Sequence, residues 1–271
     1  MFKRLKHRRT ISNVLFIFVI ITFILPATFC ISLSIASPFT SIDAMEYIDE
    51  QGLPTENQTY TWTCPNATGY GSTQKTVELP ITEEDFRESM DRDVMRRATV
   101  CYPVSSQLVD PDHPILQRLI QHILSVTEGY SDERRILAAL WFVQSVTEYE
   151  SDENLYGNDD FWATPIETLY LRAGDCEDLS ALLATLTYGM GYETALLDYT
   201  GHLAVGVKPN ADSPYIYCET TKSYTSVIIR TDLTYCGEYP DIYPIKPSLI
   251  RSQANDFFAY CRNRTKRTLS L

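Results

Sequence analysis

The chain has 271 residues, 44% of them hydrophobic and 21% charged, with 23 Lys and Arg against 35 Asp and Glu, a formal net charge of −12. Every acidic side chain follows residue 42, so the body of the chain is strongly negative, which excludes nucleic acid and anionic lipid as partners because both are held by basic surface. The sequence contains no phosphate-binding glycine loop, repeat or low-complexity tract, and its length suits one good core with a smaller appendage.

Residues 11–42 carry no charged side chain, and the mostly apolar stretch 11–36 exceeds the ~20 residues that a spanning helix needs. Lys3, Arg4, Lys6, Arg8 and Arg9 precede it, and Asp43, Glu46, Asp49 and Glu50 follow. The positive-inside rule therefore predicts one transmembrane anchor with the N-terminus cytoplasmic and the rest of the chain outside. Ser34-Ile35-Ala36 offers the alternative of signal cleavage and secretion. Residues 36–77, rich in Thr, Asn, Gly and Pro, read as a linker with short strands at best. Thr82-Glu83-Glu84-Asp85 is a capping box that starts a charged helix to about Arg97. Residues 113–128 and 132–148 show helical periodicity and predict an αα-hairpin, on which His113 and His122 have no partners at ligand spacing. The acidic stretch 151–160 reads first as a solvated loop, with a substrate rim or a calcium-binding loop as the alternatives. Thr164 caps, and Pro165 begins, a short helix with Glu167 at its third position.

Cys176 lies in Gly174-Asp175-Cys176-Glu177-Asp178, ahead of Leu179, Leu182, Leu183, Leu186 and Met190, an apolar stripe at helical spacing. Asp175 is a natural N-cap, Asp178 its expected reciprocal partner, and Gly189 and Gly191 mark the far end. Cys176 thus falls on the first turn of a buried helix, where unpaired N–H groups and the positive dipole end favour a thiolate. Asp175, Glu177 and Asp178 oppose ionisation, and the imidazolium of His202 is expected to decide the balance.

His202 opens one strand-like run, Leu203-Ala204-Val205-Gly206-Val207, and Glu219 closes another, Tyr215-Ile216-Tyr217-Cys218. The turn-rich Pro209-Asn210-Ala211-Asp212-Ser213 lies between them. A hairpin centred there sets His202 and Glu219 nearly opposite on one face, within reach of a carboxylate–imidazole bond. A thiol nucleophile, a base to take its proton and an acid to orient the base are the three groups of cysteine acyl transfer, and Cys176, His202 and Glu219 supply them.

The motifs at 164–169, 174–178, 191–192, 201–207 and 219–221 together resemble the transglutaminase-like superfamily, most closely its microbial, chiefly archaeal, membrane-anchored members. The resemblance covers about residues 130–225. It implies an α+β, papain-like core in which a helix bearing the cysteine packs on an antiparallel sheet bearing the histidine and the acid. The corresponding division is 1–36 for tail and anchor, 37–110 for linker and extension, and 111–271 for the catalytic domain. The resemblance implies Cys176 as nucleophile, His202 as general base and acid, and Glu219, where many members carry Asp, as the orienting carboxylate. The Cys176 backbone N–H is one expected oxyanion donor. Gln144 is the side-chain candidate, suggested by a similar Val-Gln in relatives, with Trp141 as runner-up. The implied activity is cleavage of amide bonds through a thioester, as a peptidase or amidase if water resolves it and as a cross-linking enzyme if an amine does. A binding domain that keeps the three groups as a packed polar network is the alternative. Tyr149, Tyr156, Trp162, Tyr215 and Tyr217 are candidates to line the cleft.

An external location would let Cys64, Cys101, Cys218, Cys236 and Cys261 form disulfides, with Cys64–Cys101 and Cys236–Cys261 as plausible pairs. No pair has CxxC spacing, so a zinc site from Cys218, Cys236 and His202 is disfavoured and no cofactor or metal is expected. Asn57-Gln58-Thr59, Asn66-Ala67-Thr68 and Asn263-Arg264-Thr265 are sequons, consistent with export. A cell-envelope polypeptide is the expected substrate.

Overall fold

A computed structural model describes residues 41–53, 59–92, 109–222 and 229–245. The expected anchor at 11–36 and the stretch 249–262, where the sequence predicts a final helix, lie outside these residues, as do Cys30, Cys101 and Cys261. Among the described residues, no helix is long and apolar enough to cross a membrane.

The chain begins with helix α1 (Ser41–Gln51), hairpin strands β1 (Thr59–Pro65) and β2 (Ser72–Glu78), and helix α2 (Glu83–Arg92). The hairpin corrects the expectation of a linker. Tyr60, Trp62 and Cys64 alternate along β1 and are buried, so a period-2 apolar face existed within a turn-rich composition. Trp62 meets Phe142 edge-on at 5.6 Å, and the Tyr60 hydroxyl donates to the Leu169 carbonyl at 2.9 Å. The Thr82–Asp85 box forms as expected, with Thr82 N–H donating to Asp85 at 2.8 Å and Asp85 N–H to Thr82 at 3.1 Å.

Helices α3 (Pro114–Val126) and α4 (Asp132–Val146) make the expected αα-hairpin. His113 has a role after all: its ring caps α3 by accepting from Ile115 N–H at 3.3 Å. Strand β3 (Glu148–Tyr149) follows, then α5 (Asp152–Tyr156), which stands where a loop was expected, and α6 (Pro165–Leu171). Both halves of the Thr164–Glu167 capping box are made. Arg172, in the left-handed conformation at φ 55°, ends α6 and turns the chain into β4 (Ala173–Gly174), parallel to β3.

Helix α7 (Cys176–Gly189) is buried along 178–187 on every face, because it lies between helices α3, α4 and α6 and the main sheet. Each fully buried leucine there contributes about 1.5–3 kcal/mol. The sheet is antiparallel and five-stranded, built from β5 (Glu193–Tyr199), β6 (His202–Lys208), β7 (Ile216–Cys218), β8 (Ile229–Arg230) and β9 (Asp241–Pro244), in the order β8-β7-β6-β5-β9. Thr200-Gly201 turns β5 into β6, with Gly201 at φ 71°, a conformation open to glycine at no steric cost. The architecture is therefore α+β, with a cysteine-bearing helix on an antiparallel sheet whose central strand starts at the histidine.

Candidate functional site

His202 and Glu219 meet. Their Nε2 and Oε2 lie 3.1 Å apart, with side-chain exposures of 9% and 2%. The register differs by two residues from the simple hairpin, since Val205 pairs Cys218 and Val207 pairs Ile216. Continued, that register sets Glu219 across from Ala204 rather than His202. The shift of two conserves the face, so the pair forms diagonally instead of directly.

The Glu219 carboxylate is saturated. Oε2 also accepts from the Tyr217 hydroxyl at 2.5 Å, and Oε1 accepts from Thr221 N–H at 3.1 Å and Thr221 Oγ1 at 2.8 Å. Burial pushes this carboxyl up, but the hydrogen bonds from His202, Tyr217 and Thr221 overcome it and hold it at about 2. With Nε2 committed to the acid, Nδ1 is the ring nitrogen left for a thiol proton.

Cys176 takes the expected first-turn position, capped by Asp175 through Glu177 N–H at 3.2 Å. Asp178 does not close a capping box. It is fully buried and accepts from Ala163 N–H at 2.7 Å, tying the helix start to the loop before α6. One turn beyond Cys176, the Ser180 hydroxyl donates to the Leu203 carbonyl at 3.1 Å and lies 3.3 Å from Thr220 Oγ1. The Leu203 backbone also hydrogen-bonds the thiol. These bonds lock the helix start against the residues that follow His202 and Glu219.

The thiol itself donates to Glu177 Oε2 at 2.9 Å, and no Cys176–His202 hydrogen bond forms. Burial, then the charges of Glu177 and Asp175, push the thiol well up, so the acids win the balance that His202 was expected to decide. A charged acceptor on the adjacent residue outcompetes an imidazole already engaged by Glu219.

Gln144 does not offer a free amide. Its Nε2 donates to the Glu219 carbonyl at 2.7 Å, which leaves one N–H for other use. Trp141 is half-buried. Of the expected cleft aromatics, Tyr149 is 57% exposed, its hydroxyl raised by burial and then by Asp175 and Cys176, and Trp162 donates from Nε1 to Asp160 at 2.7 Å. Tyr156 is core, its ring tilted against Phe161 with centroids 4.2 Å apart, and Tyr215 faces Glu193 and Lys208. Tyr235, not singled out from sequence, stacks on the His202 ring at 4.4 Å.

Beside the thiol, Asp152, Asp160, Asp175, Glu177 and Asp178 crowd together, their oxygens forming triplets within 4.8 Å. Burial and mutual charge push Asp152 and Asp175 up to about 8 and Asp178 well above its ordinary value. Asp152 and Asp178 are buried, and one oxygen of each (Asp152 Oδ1, Asp178 Oδ2) has no hydrogen-bond partner among the described residues. Oxygen donors in this number suit a hard divalent cation such as calcium rather than zinc. Among the described cysteines, Cys64, Cys218 and Cys236 form no disulfide with one another.

The thiol thus starts a helix, α7, that packs on β6, the strand whose first residue carries the imidazole of the His202–Glu219 pair. No family profile and no curated protein matches the chain. Among solved structures, it is similar to calcium-bound LapG of Legionella pneumophila at 15% identity and TM-score 0.36, over 54% of this chain and 88% of that one. The EGTA-treated form of that LapG gives 15% and 0.34, over 47% and 68%, and a TGase gives 14% and 0.32, over 65% and 46%.

Proposed function

We propose that this chain is a cysteine acyl-transfer enzyme acting on amide bonds, with Cys176 as nucleophile, His202 as proton carrier and Glu219 as orienting acid. The observation that supports this best is the buried His202–Glu219 pair, held next to a helix-start thiol through Leu203 and Ser180. For attack, the thiol turns from Glu177 towards Nδ1. Sγ bonds to the carbonyl carbon, its proton passes to Nδ1, and the oxyanion is met by the Cys176 backbone N–H and the second N–H of Gln144. The C–N bond then breaks, the leaving amine takes the Nδ1 proton, and water resolves the thioester with His202 again as base. Water is the favoured acceptor here, making the enzyme a peptidase or amidase, with amine capture as the cross-linking variant.

The carboxylates beside Cys176 are proposed to hold a divalent cation, Asp152 and Asp178 through their unpaired oxygens. Such an ion would neutralise the charge that now raises the thiol. Residues 11–36 are proposed as the single membrane anchor, which would place the domain outside and make an envelope polypeptide its substrate.

The test is iodoacetamide labelling of the full chain near pH 6 with calcium present to relieve the charges that raise the thiol, together with peptide-library turnover in the presence and absence of an amine acceptor. One fast-labelling thiol, lost in Cys176→Ala and slowed in His202→Ala, is expected. Equal labelling in His202→Ala, with no turnover, would leave only the binding-domain alternative.

A further inference from the structure

Tyr217 is 1% exposed, and a phenylalanine would fill its place in the core equally well, so its hydroxyl needs a separate explanation. That hydroxyl reaches Glu219 Oε2 at 2.5 Å and approaches His202 Nε2 at 3.5 Å. One carboxylate oxygen thus serves two donors, while Thr221 occupies the other oxygen twice. We propose that Tyr217 is a positioning residue of the proposed site, its phenol sharing Glu219 Oε2 with His202 and so setting how much of the carboxylate's charge the imidazole receives. The inference rests on the reading of His202 as proton carrier.

The surroundings suit the role. Tyr217 stays protonated, because burial and then Glu219 push its hydroxyl well up, so it only donates. The Arg230 guanidinium lies over its ring at 4.4 Å and Tyr199 meets it edge-on at 6.3 Å, fixing the ring from β8 and β5. The other ionisable groups around this cluster are Cys176 from α7, together with Asp232, Tyr235, Cys236 and Tyr239 from the loop after β8. A hydrogen bond into a carboxylate spreads its charge, so removing the phenol leaves Oε2 wholly to the imidazole and strengthens the imidazolium form.

The experiment follows the His202 ring by NMR during a pH titration of the full chain labelled with 13C-histidine, in a Cys176→Ala background that removes the coupled thiol. The His202 signal is assigned by its loss in His202→Gln. Tyr217→Phe is expected to raise the His202 titration midpoint by about one pH unit. The shift should vanish when Glu219 is also changed to Gln, and kcat should respond more than KM in the Cys176-bearing chain. A variant carrying 3-fluorotyrosine at 217, which keeps the packing and strengthens the donor, should move the midpoint downward, and it stands as the test if Tyr217→Phe fails to fold. An unchanged midpoint in the folded variants, or movement opposite to that stated, overturns the proposal. Because the titration needs no turnover, its failure is distinct from failure of the enzyme reading, which the labelling experiment reports.

Discussion

Replacing Glu219 by glutamine removes one charge while conserving shape, and both stability and reactivity should register it. In the fold the carboxyl is held at about 2 against an ordinary 4.5, and the side chain is 2% exposed. A depressed carboxyl contributes stability that is fully present above its unfolded value and is lost as pH falls through its folded value. The difference of about 2.5 units corresponds to about 3 kcal/mol at neutral pH, shrinking to roughly half of that by pH 3. Glutamine must also aim an NH2 either at His202 and Tyr217 or at Thr221, all of which donate. Urea denaturation at pH 7 and pH 3 should therefore show a loss for the variant that is larger at pH 7 than at pH 3 by about 2 kcal/mol. Turnover should fall by up to about 10⁴-fold, the cost of replacing the acid that orients a catalytic imidazole by its amide. A loss of stability that is equal at both pH values, or unchanged turnover in a folded variant, would refute the charge-based account of this pair.

Gly174→Ala would place a Cβ 2.7 Å from Asp178 Cβ and 2.9 Å from its Oδ2, so a loss of about 1–3 kcal/mol is expected by thermal denaturation. Gln144→Leu strands the Glu219 carbonyl, costing about 1–3 kcal/mol. If the second amide N–H meets the oxyanion, kcat in that variant also drops by about 10²- to 10³-fold, and an unchanged kcat would remove Gln144 from that role. Calcium at a hundredfold excess over its Kd should stabilise the parent by about 2.7 kcal/mol in a thermal shift assay. Asp152→Asn and Asp178→Asn, which can still accept from Phe161 and Ala163, should abolish that shift, and no shift in the parent would dismiss the cation.

Much of the local structure followed from short-range chemistry. Thr82, Thr164 and Asp175 announced helix starts because an N-cap needs only its own next three residues. The His202–Glu219 pair was legible because side chains alternate strictly along strands, so a two-residue error in register left both on one face. The apolar stripe likewise marked α7, but not that all its faces would be covered, since that depends on helices distant in sequence.

Long-range packing decided the rest. Strand β5 and the hairpin of β1 and β2 were missed because their value lies in what they cover, with Trp62 against Phe142 and β5 between β6 and β9. Ser180, Thr220 and Tyr217 are ordinary residues in the sequence, and only folding brings their hydroxyls to Leu203, Ser180 and Glu219. The five carboxylates around Cys176 come from segments on either side of α6, so the arrival of Asp152 and Asp160 beside Asp175, Glu177 and Asp178 belongs to the tertiary structure. Sequence by itself determined which groups could do the chemistry, because residue identity and local spacing set them. Only the fold decided which of those groups bond one another, because a hydrogen bond depends on distances that no local pattern fixes.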